Sequence, residues 1–495
     1  PVTCTSEFPE LFAAGTFLGL PTNDVFVAGE CANKDDKDFH KKTFTSTRQD
    51  ASVEVEAITL TANWQIAENH ELVLVYGNRE MDETALQEFD GFSADVFRTD
   101  RPQTVDQESF ELRLQSDFSW GRSTVGAYYW DSDYELWQNT FFFPLFDPTW
   151  PANPLAGFND SPYTLIATES TSFFGQLDID ITDQLTLTLG GRYIDEEKTA
   201  CQMFTAPSTD GSATFVDFSG YDKDITRAYG DCPSVASAYI DNNFTDPVTG
   251  AASVLEPTTS WSEFTPKVGL TYSTDIGMVY LSYTEGFRSG GYNGRATAAS
   301  NLGPYDPEKV ESWEIGFKST WLNNTVQLNG SFFQTDYTDK QEDVILPGTD
   351  GAVTLTLVQN ASAATMDGVE LELVWIAVEG LTLNANMGLL NASYDSYIVT
   401  GPSGNPVDKT AFDLRKAPET TFTVGALWEL PLANGNFLVS SINYRWKDDF
   451  WNNGNTAGPK HYSSDQLYVE SFGILDASIN YETDHWRISV FGKNL

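Results

Sequence analysis

The sequence predicts an all-β chain built as a transmembrane antiparallel β-barrel. Three features carry the prediction. Apolar and polar residues alternate over runs of ten or more positions, and very short connections alternate with long ones. No uncharged apolar stretch of about 18 residues occurs, which excludes a membrane-crossing helix.

Along the 495 residues, about sixteen strands are expected, centred near 58, 75, 111, 128, 174, 189, 267, 281, 314, 329, 369, 385, 423, 440, 475 and 490. In TVQLNGSFF, Val326, Leu328, Gly330 and Phe332 point one way, and Thr325, Gln327, Asn329 and Ser331 the other. LTLNANMGL, FFGQLDIDI and WEIGFKS repeat the pattern. Strands of a soluble sandwich are usually half as long, whereas bilayer-crossing strands need about 9 to 11 residues with one oily face and one lumenal face. Glu111, Arg113, Gln115, Asp117, Asp178, Arg192, Glu314, Lys318, Glu370, Glu372 and Asp476 fall on the polar face, where a hydrated, salt-bridged inner wall is expected.

Orientation follows from the connections. The short class comprises AENH, SWGR, TDQ, TDIG, LNN, VEG, ANG and TDH; the long class comprises 196–260, 286–306, 339–353, 393–414 and 447–465. Tight turns on the periplasmic side and extended loops outside are the pattern of bacterial outer-membrane barrels. YLSYTEGFRSGGYNGR, residues 280–295, is therefore an upward strand whose apolar side stops where the bilayer stops. A propeller would need a repeated blade motif, and none is present.

Seventy-one acidic against 28 basic residues give a formal charge of -43, which argues against nucleic-acid partners. It fits acidic, solvated outer loops, in which structural calcium is a further expectation; no other cofactor or metal is expected. Cys4 with Cys31, and Cys201 with Cys232, lie in polar segments and suggest loop-stapling disulfides formed in an oxidising compartment. Neither H-E-x-x-H nor G-x-S-x-G occurs, and the four histidines are scattered, so an enzyme is not expected. For binding, the outer segments YYWDSDYELWQNTFFFPLF and NYRWKDDFWNNGN supply Trp130, Tyr134, Trp137, Phe450 and Trp451 for stacking on a bulky ligand. Arg288, Asn293 and Arg295 supply hydrogen bonds.

VYLSYTEGFRSGGYN, PEKVESWEIGFKSTWLNNTVQLNGSFFQTDYTD, LRKAPETTFTVGALWELPL and LDASINYETDHWRISVFGKNL, in that order and with TLGGRYIDEEK before them, resemble the barrel of TonB-dependent outer-membrane receptors. The resemblance implies a barrel of about 22 strands blocked by a plug. It places residues 1–48 in an extracellular loop with a disulfide and residues 49–495 in an incomplete transmembrane barrel, the longest loop being 196–260. The plug, about five strands and a last strand are then expected outside this stretch. It further implies TonB-dependent uptake of a scarce nutrient, most often a ferric siderophore or other metal complex, across the outer membrane of a Gram-negative bacterium. Partners would be outer-membrane lipid, a small-molecule ligand and TonB, reached through the plug. A passive porin and a structural or docking barrel are the competing readings.

Overall fold

The computed structural model describes residues 50–88, 97–137, 139–142, 158–160, 163–203, 254–255, 257–294, 296, 301–347, 354–400, 405–452 and 468–495. Among the described residues, sixteen strands of six residues or more form the wall. They are β1 (Asp50–Ala67), β2 (His70–Glu88), β4 (Gln103–Phe118), β5 (Gly121–Trp137), β8 (Tyr163–Asp180), β9 (Leu185–Met203), β11 (Thr258–Thr274) and β12 (Gly277–Arg288). The second half comprises β13 (Glu308–Trp321), β14 (Val326–Pro347), β15 (Thr354–Val378), β16 (Leu381–Thr400), β18 (Thr420–Pro431), β19 (Phe437–Lys447), β22 (Phe472–Glu482) and β23 (Arg487–Gly492). Between them lie short pieces: β3 (Phe97–Asp100), β6 (Asn139–Phe142), β7 (Phe158–Asp160), β10 (Val254–Leu255), β17 (Pro406–Asp408), β20 (Phe450–Trp451) and β21 (Tyr468–Val469). Each long strand pairs antiparallel with the next, from β1 to β23, in one unbroken meander. All sixteen expected strand centres fall on these strands.

Register shows why the alternation matters. Ile179, Leu187, Leu270, Leu281, Ile315, Phe332, Val369 and Leu389 are successive cross-strand partners, an apolar row running from β8 to β16. Leu281, Ile315 and Phe332 in this row are exposed, as side chains facing lipid must be in an isolated chain. On the opposite face Glu71, Gln115, Thr124, Gln176, Gly190, Lys267, Thr284, Ser312 and Thr335 form an equally continuous polar row. A single-residue slip would exchange the two rows, so burial in lipid pins the register. Together these rows make the chain the wall of a transmembrane β-barrel.

The polar wall is internally paired. Arg113 meets Glu111 at 2.7 Å and Arg445 meets Asp476 at 2.8 Å. The Arg192 guanidinium lies 5.3 Å from the Tyr128 ring centre, and Glu314 accepts a hydrogen bond from Tyr280.

Tryptophans mark the lower boundary. Trp64, Trp120, Trp321, Trp375, Trp428 and Trp486 are all exposed and stand within or close beside a short turn. Amphipathic rings collect where hydrocarbon meets water, so these residues locate that interface at the short-turn end. Phe110, Phe264 and Trp313 lie one membrane thickness above Phe118, Tyr272 and Trp321 on their respective strands. At about 3.4 Å per residue and a tilt near 40°, their separation spans about 20 Å, comparable with the apolar band of outer-membrane barrels. Above that level the outward side turns acidic: Glu108, Asp131, Glu169 and Glu197 are successive cross-strand partners.

The turns explain themselves locally. Leu322, Asn323 and Asn324 have φ of 51°, 53° and 65°, a left-handed run to which asparagine is well suited. Gly277 has φ 148°, and a Cβ there would lie 2.0 Å from the Lys318 carbonyl oxygen. Only glycine permits that approach.

The structure corrects the long connections. β9 reaches Met203 and β11 begins at Thr258, so the segment expected as loop 196–260 is strand at both ends, with Thr258 opposite Thr199. β14 likewise extends to Pro347 and β16 to Thr400, into segments expected as loops 339–353 and 393–414. The physical reason is that backbone pairing does not end at the membrane surface: above it the ladder continues wherever side chains cover it. Cys4, Cys31 and Cys232 lie outside the described residues; Cys201 is on β9 and is disulfide-bonded.

Candidate functional site

At the long-loop end, the β14–β15 hairpin rises past an irregularity between Tyr337 and Lys340, where Asp339 takes φ 51°. Beyond it the hairpin is covered on both sides. One side receives residues 289–294 and 301–306, which lie against the inner face of the wall. Lys198 Nζ donates to Ser289 Oγ at 2.7 Å and to the Gly290 carbonyl at 2.8 Å, and Thr164 Oγ1 donates to the Gly294 carbonyl at 2.5 Å. The Thr259 and Tyr292 hydroxyls are 2.6 Å apart. These contacts tie the segment to β8, β9 and β11.

Its other edge is tied to β14 and β15. Gln341 Nε2 donates to the carbonyls of Ser289 and Asp306, at 2.9 and 3.1 Å. The Val358 amide donates to Asn293 Oδ1 at 2.7 Å, while Asn293 Nδ2 donates to the Asn301 carbonyl at 3.1 Å. Ala200, Tyr292, Ala296 and Leu302 pack beneath. The segment thus links β8 to β15, seven neighbouring wall strands and about 29 Å of sheet at 4.8 Å per strand.

The second side of the hairpin packs Val344, Ala361, Ala364, Tyr394, Tyr397, Val399 and Leu414 into the larger core. Within it Glu342 is 2% exposed. A buried carboxylate must be paired, and this one is: Lys340 binds Oε1, Tyr394 donates to Oε1 at 2.9 Å, and Arg415 approaches Oε2 at 3.9 Å. Burial, followed by the charge of Glu342, pushes the Tyr394 hydroxyl far up and the Tyr397 hydroxyl up to about 12. Burial lowers the Lys409 ammonium, which sits 5.6 Å from the Tyr397 ring centre.

The residues singled out from sequence do not converge on one site. Trp130 and Tyr134 lie within β5 rather than in a loop, half-buried, and Trp137 ends that strand at 2% exposure. Tyr134 and Asn293 line one cavity of about 180 Å³ together with Ile166, Tyr292 and Asp343. Arg288 ends β12, exposed, where its charge offsets part of the burial that raises Tyr305. Phe450 and Trp451 form β20, paired with β21, and line a second cavity of about 240 Å³. Arg295 lies outside the described residues. Sequence reasoning missed Lys340, Glu342 and Arg415. The one available signal was the apolar alternation of Val344 and Leu346 continuing past the expected strand end.

His70 Nδ1 lies 2.8 Å from Ser116 Oγ, but the imidazole packs edge-on against Phe118, 5.7 Å away, rather than against an orienting carboxylate.

A wide antiparallel wall with an oily outside, a polar inside and a packed outer mouth defines an outer-membrane β-barrel. The family profile described as "TonB dependent receptor-like, beta-barrel" matches residues 10–495, and the chain belongs to that family. It is a protein of the bacterial outer membrane, and the family is one of transporters and receptors. The pesticin receptor of Yersinia pestis is 25% identical over 226 residues, 45% of this chain and 29% of the relative. The probable TonB-dependent siderophore receptor PiuA of Acinetobacter baumannii is 25% identical over 170 residues, 33% of this chain and 22% of the relative. This chain therefore matches under a third of the length of either. Among solved structures, the ferric yersiniabactin uptake receptor FyuA from Yersinia pestis aligns with a TM-score of 0.66 at 17% identity, covering 90% of this chain and 57% of that one. PiuA from Acinetobacter baumannii aligns at 0.64 and 16% identity, covering 90% and 61%.

Proposed function

We propose that this chain forms the wall and outer mouth of a receptor for energised uptake of a scarce nutrient, a ferric siderophore or another metal complex. TonB would be its energising partner, acting through the plug typical of the family. The carrying observation is the mouth. Residues 289–294 and 301–306 lie over the inner wall, tied to β8, β14 and β15 by specific hydrogen bonds, and β14 beside them holds a buried ion pair. Ligand sites are concave and largely pre-formed, with a few polar groups held in place, and such a construction supplies that. The relatives named above as siderophore receptors support the choice of ligand class.

The test is growth of an iron-starved Gram-negative strain lacking its own siderophore receptors and expressing the full-length protein. Ferric siderophores supplied singly should rescue growth with at least one compound, and deletion of tonB should abolish the rescue. Large ligand-independent conductance of the full-length protein in planar bilayers would instead assign a passive porin.

A further inference from the structure

We infer that the cavity between residues 413–419 and the β20–β21 pair binds a cationic group, an ammonium or methylated ammonium, carried by the ligand. The inference rests on the receptor reading above and names one chemical feature of its ligand. The cavity, about 240 Å³, has an apolar floor that includes Leu414 and Ala417. Its wall is aromatic. Trp451 is 3% exposed, stands 4.9 Å from Tyr468 between ring centres, and donates its indole N–H to Asp413 Oδ2 at 3.0 Å. Phe450 continues the wall, and Glu419 and Asp449 join Asp413 in lining the cavity.

Aromatic faces and carboxylates together attract cations through the ring quadrupole and through charge. The structure already contains an example, since the Lys447 ammonium lies 5.5 Å from the Phe450 ring centre. Of the other bases near this rim, Arg415 turns to Asp343 and Glu342 and Lys409 covers Tyr397, while Lys416 is exposed and makes no ion pair with a described residue. Asp413 and Glu419 have no ion-pair partner among the described residues. An anionic group would meet like charge here, and a neutral one would leave Asp413 and Glu419 without an opposite charge. A cation satisfies both the rings and the acids.

The probe is tetramethylammonium, titrated into full-length receptor in detergent micelles and followed by calorimetry or ligand-observed magnetic resonance. tert-Butanol serves as the neutral control of similar size. Saturable binding is expected for the cation and not for the alcohol. Asp413→Asn keeps the acceptor for the Trp451 indole and removes only charge; combined with Glu419→Gln, it should weaken the cation by about fivefold or more. Asp476→Asn, on the inner wall beside Arg445, should leave binding unchanged. Absence of saturable binding, equal binding of the alcohol, or indifference to the double variant would each overturn the assignment. Ammonium binding without energised growth would sink the uptake reading and leave the cavity standing; growth without ammonium binding would do the reverse.

Discussion

Val279 tests the two-faced wall most directly. It pairs with Phe317, four residues along β13 from both Trp313 and Trp321, and is 47% exposed on the outward side. Between the two aromatic levels that position is close to the bilayer midplane. An arginine there costs about 2 to 4 kcal/mol in a barrel of this kind. The folding equilibrium should fall about 30- to 700-fold, at 1.4 kcal/mol per tenfold change. Ser282, nearby on the same strand, faces the lumen opposite Glu314. Ser282→Arg should cost less than about 1 kcal/mol, because the new charge meets water and a carboxylate. The assay is urea unfolding of the full-length protein folded into phosphatidylcholine vesicles, followed by tryptophan fluorescence. Equal shifts for Val279→Arg and Ser282→Arg, or the larger shift for Ser282→Arg, would refute the assignment of oily face to lipid.

Two further outcomes test the mouth. A Cβ placed on Gly294 would lie 3.8 Å from the Thr164 Cβ, the ordinary separation in a disulfide, so Thr164→Cys with Gly294→Cys should cross-link on mild oxidation and appear as a linked peptide after digestion. Failure to link would mean that Gly294 does not lie against β8. The second outcome concerns alkaline pH. Tyr397 is raised to about 12, so below pH 10 it is protonated in folded and unfolded chains alike. Between pH 10 and 12 the unfolded chain loses that proton first, and the stability contributed by keeping it is lost as pH rises through the folded value. Tyrosinate absorbance should show a late-titrating component that Tyr397→Phe diminishes; a normal titration for every tyrosine would contradict the burial of this pair.

Much of the wall was legible because period-two alternation is a local property. Phe332 and Ile315 declare their outward side within a few residues of sequence, and the tight turn at Leu322–Asn324 declares the hairpin between them. The mouth was not legible in that way. Gln341, Glu342 and Asp343 are three consecutive polar residues and read as solvated loop. Glu342 is nevertheless buried, because Tyr394 reaches it from 52 positions along the chain. Asn293 read as a ligand donor, yet its amide is engaged by Val358 and Asn301.

Sequence alone therefore determined the strand count, the lipid and lumen faces, and which end carries the tight turns. These depend on side-chain alternation against two solvents and on backbone freedom at single residues. Tertiary structure decided where the strands stop, how residues 289–294 and 301–306 lie across the wall, and which rings and acids share a cavity. Those outcomes depend on partners tens of residues apart, whose complementarity exists only after the sheet has curved and brought them together.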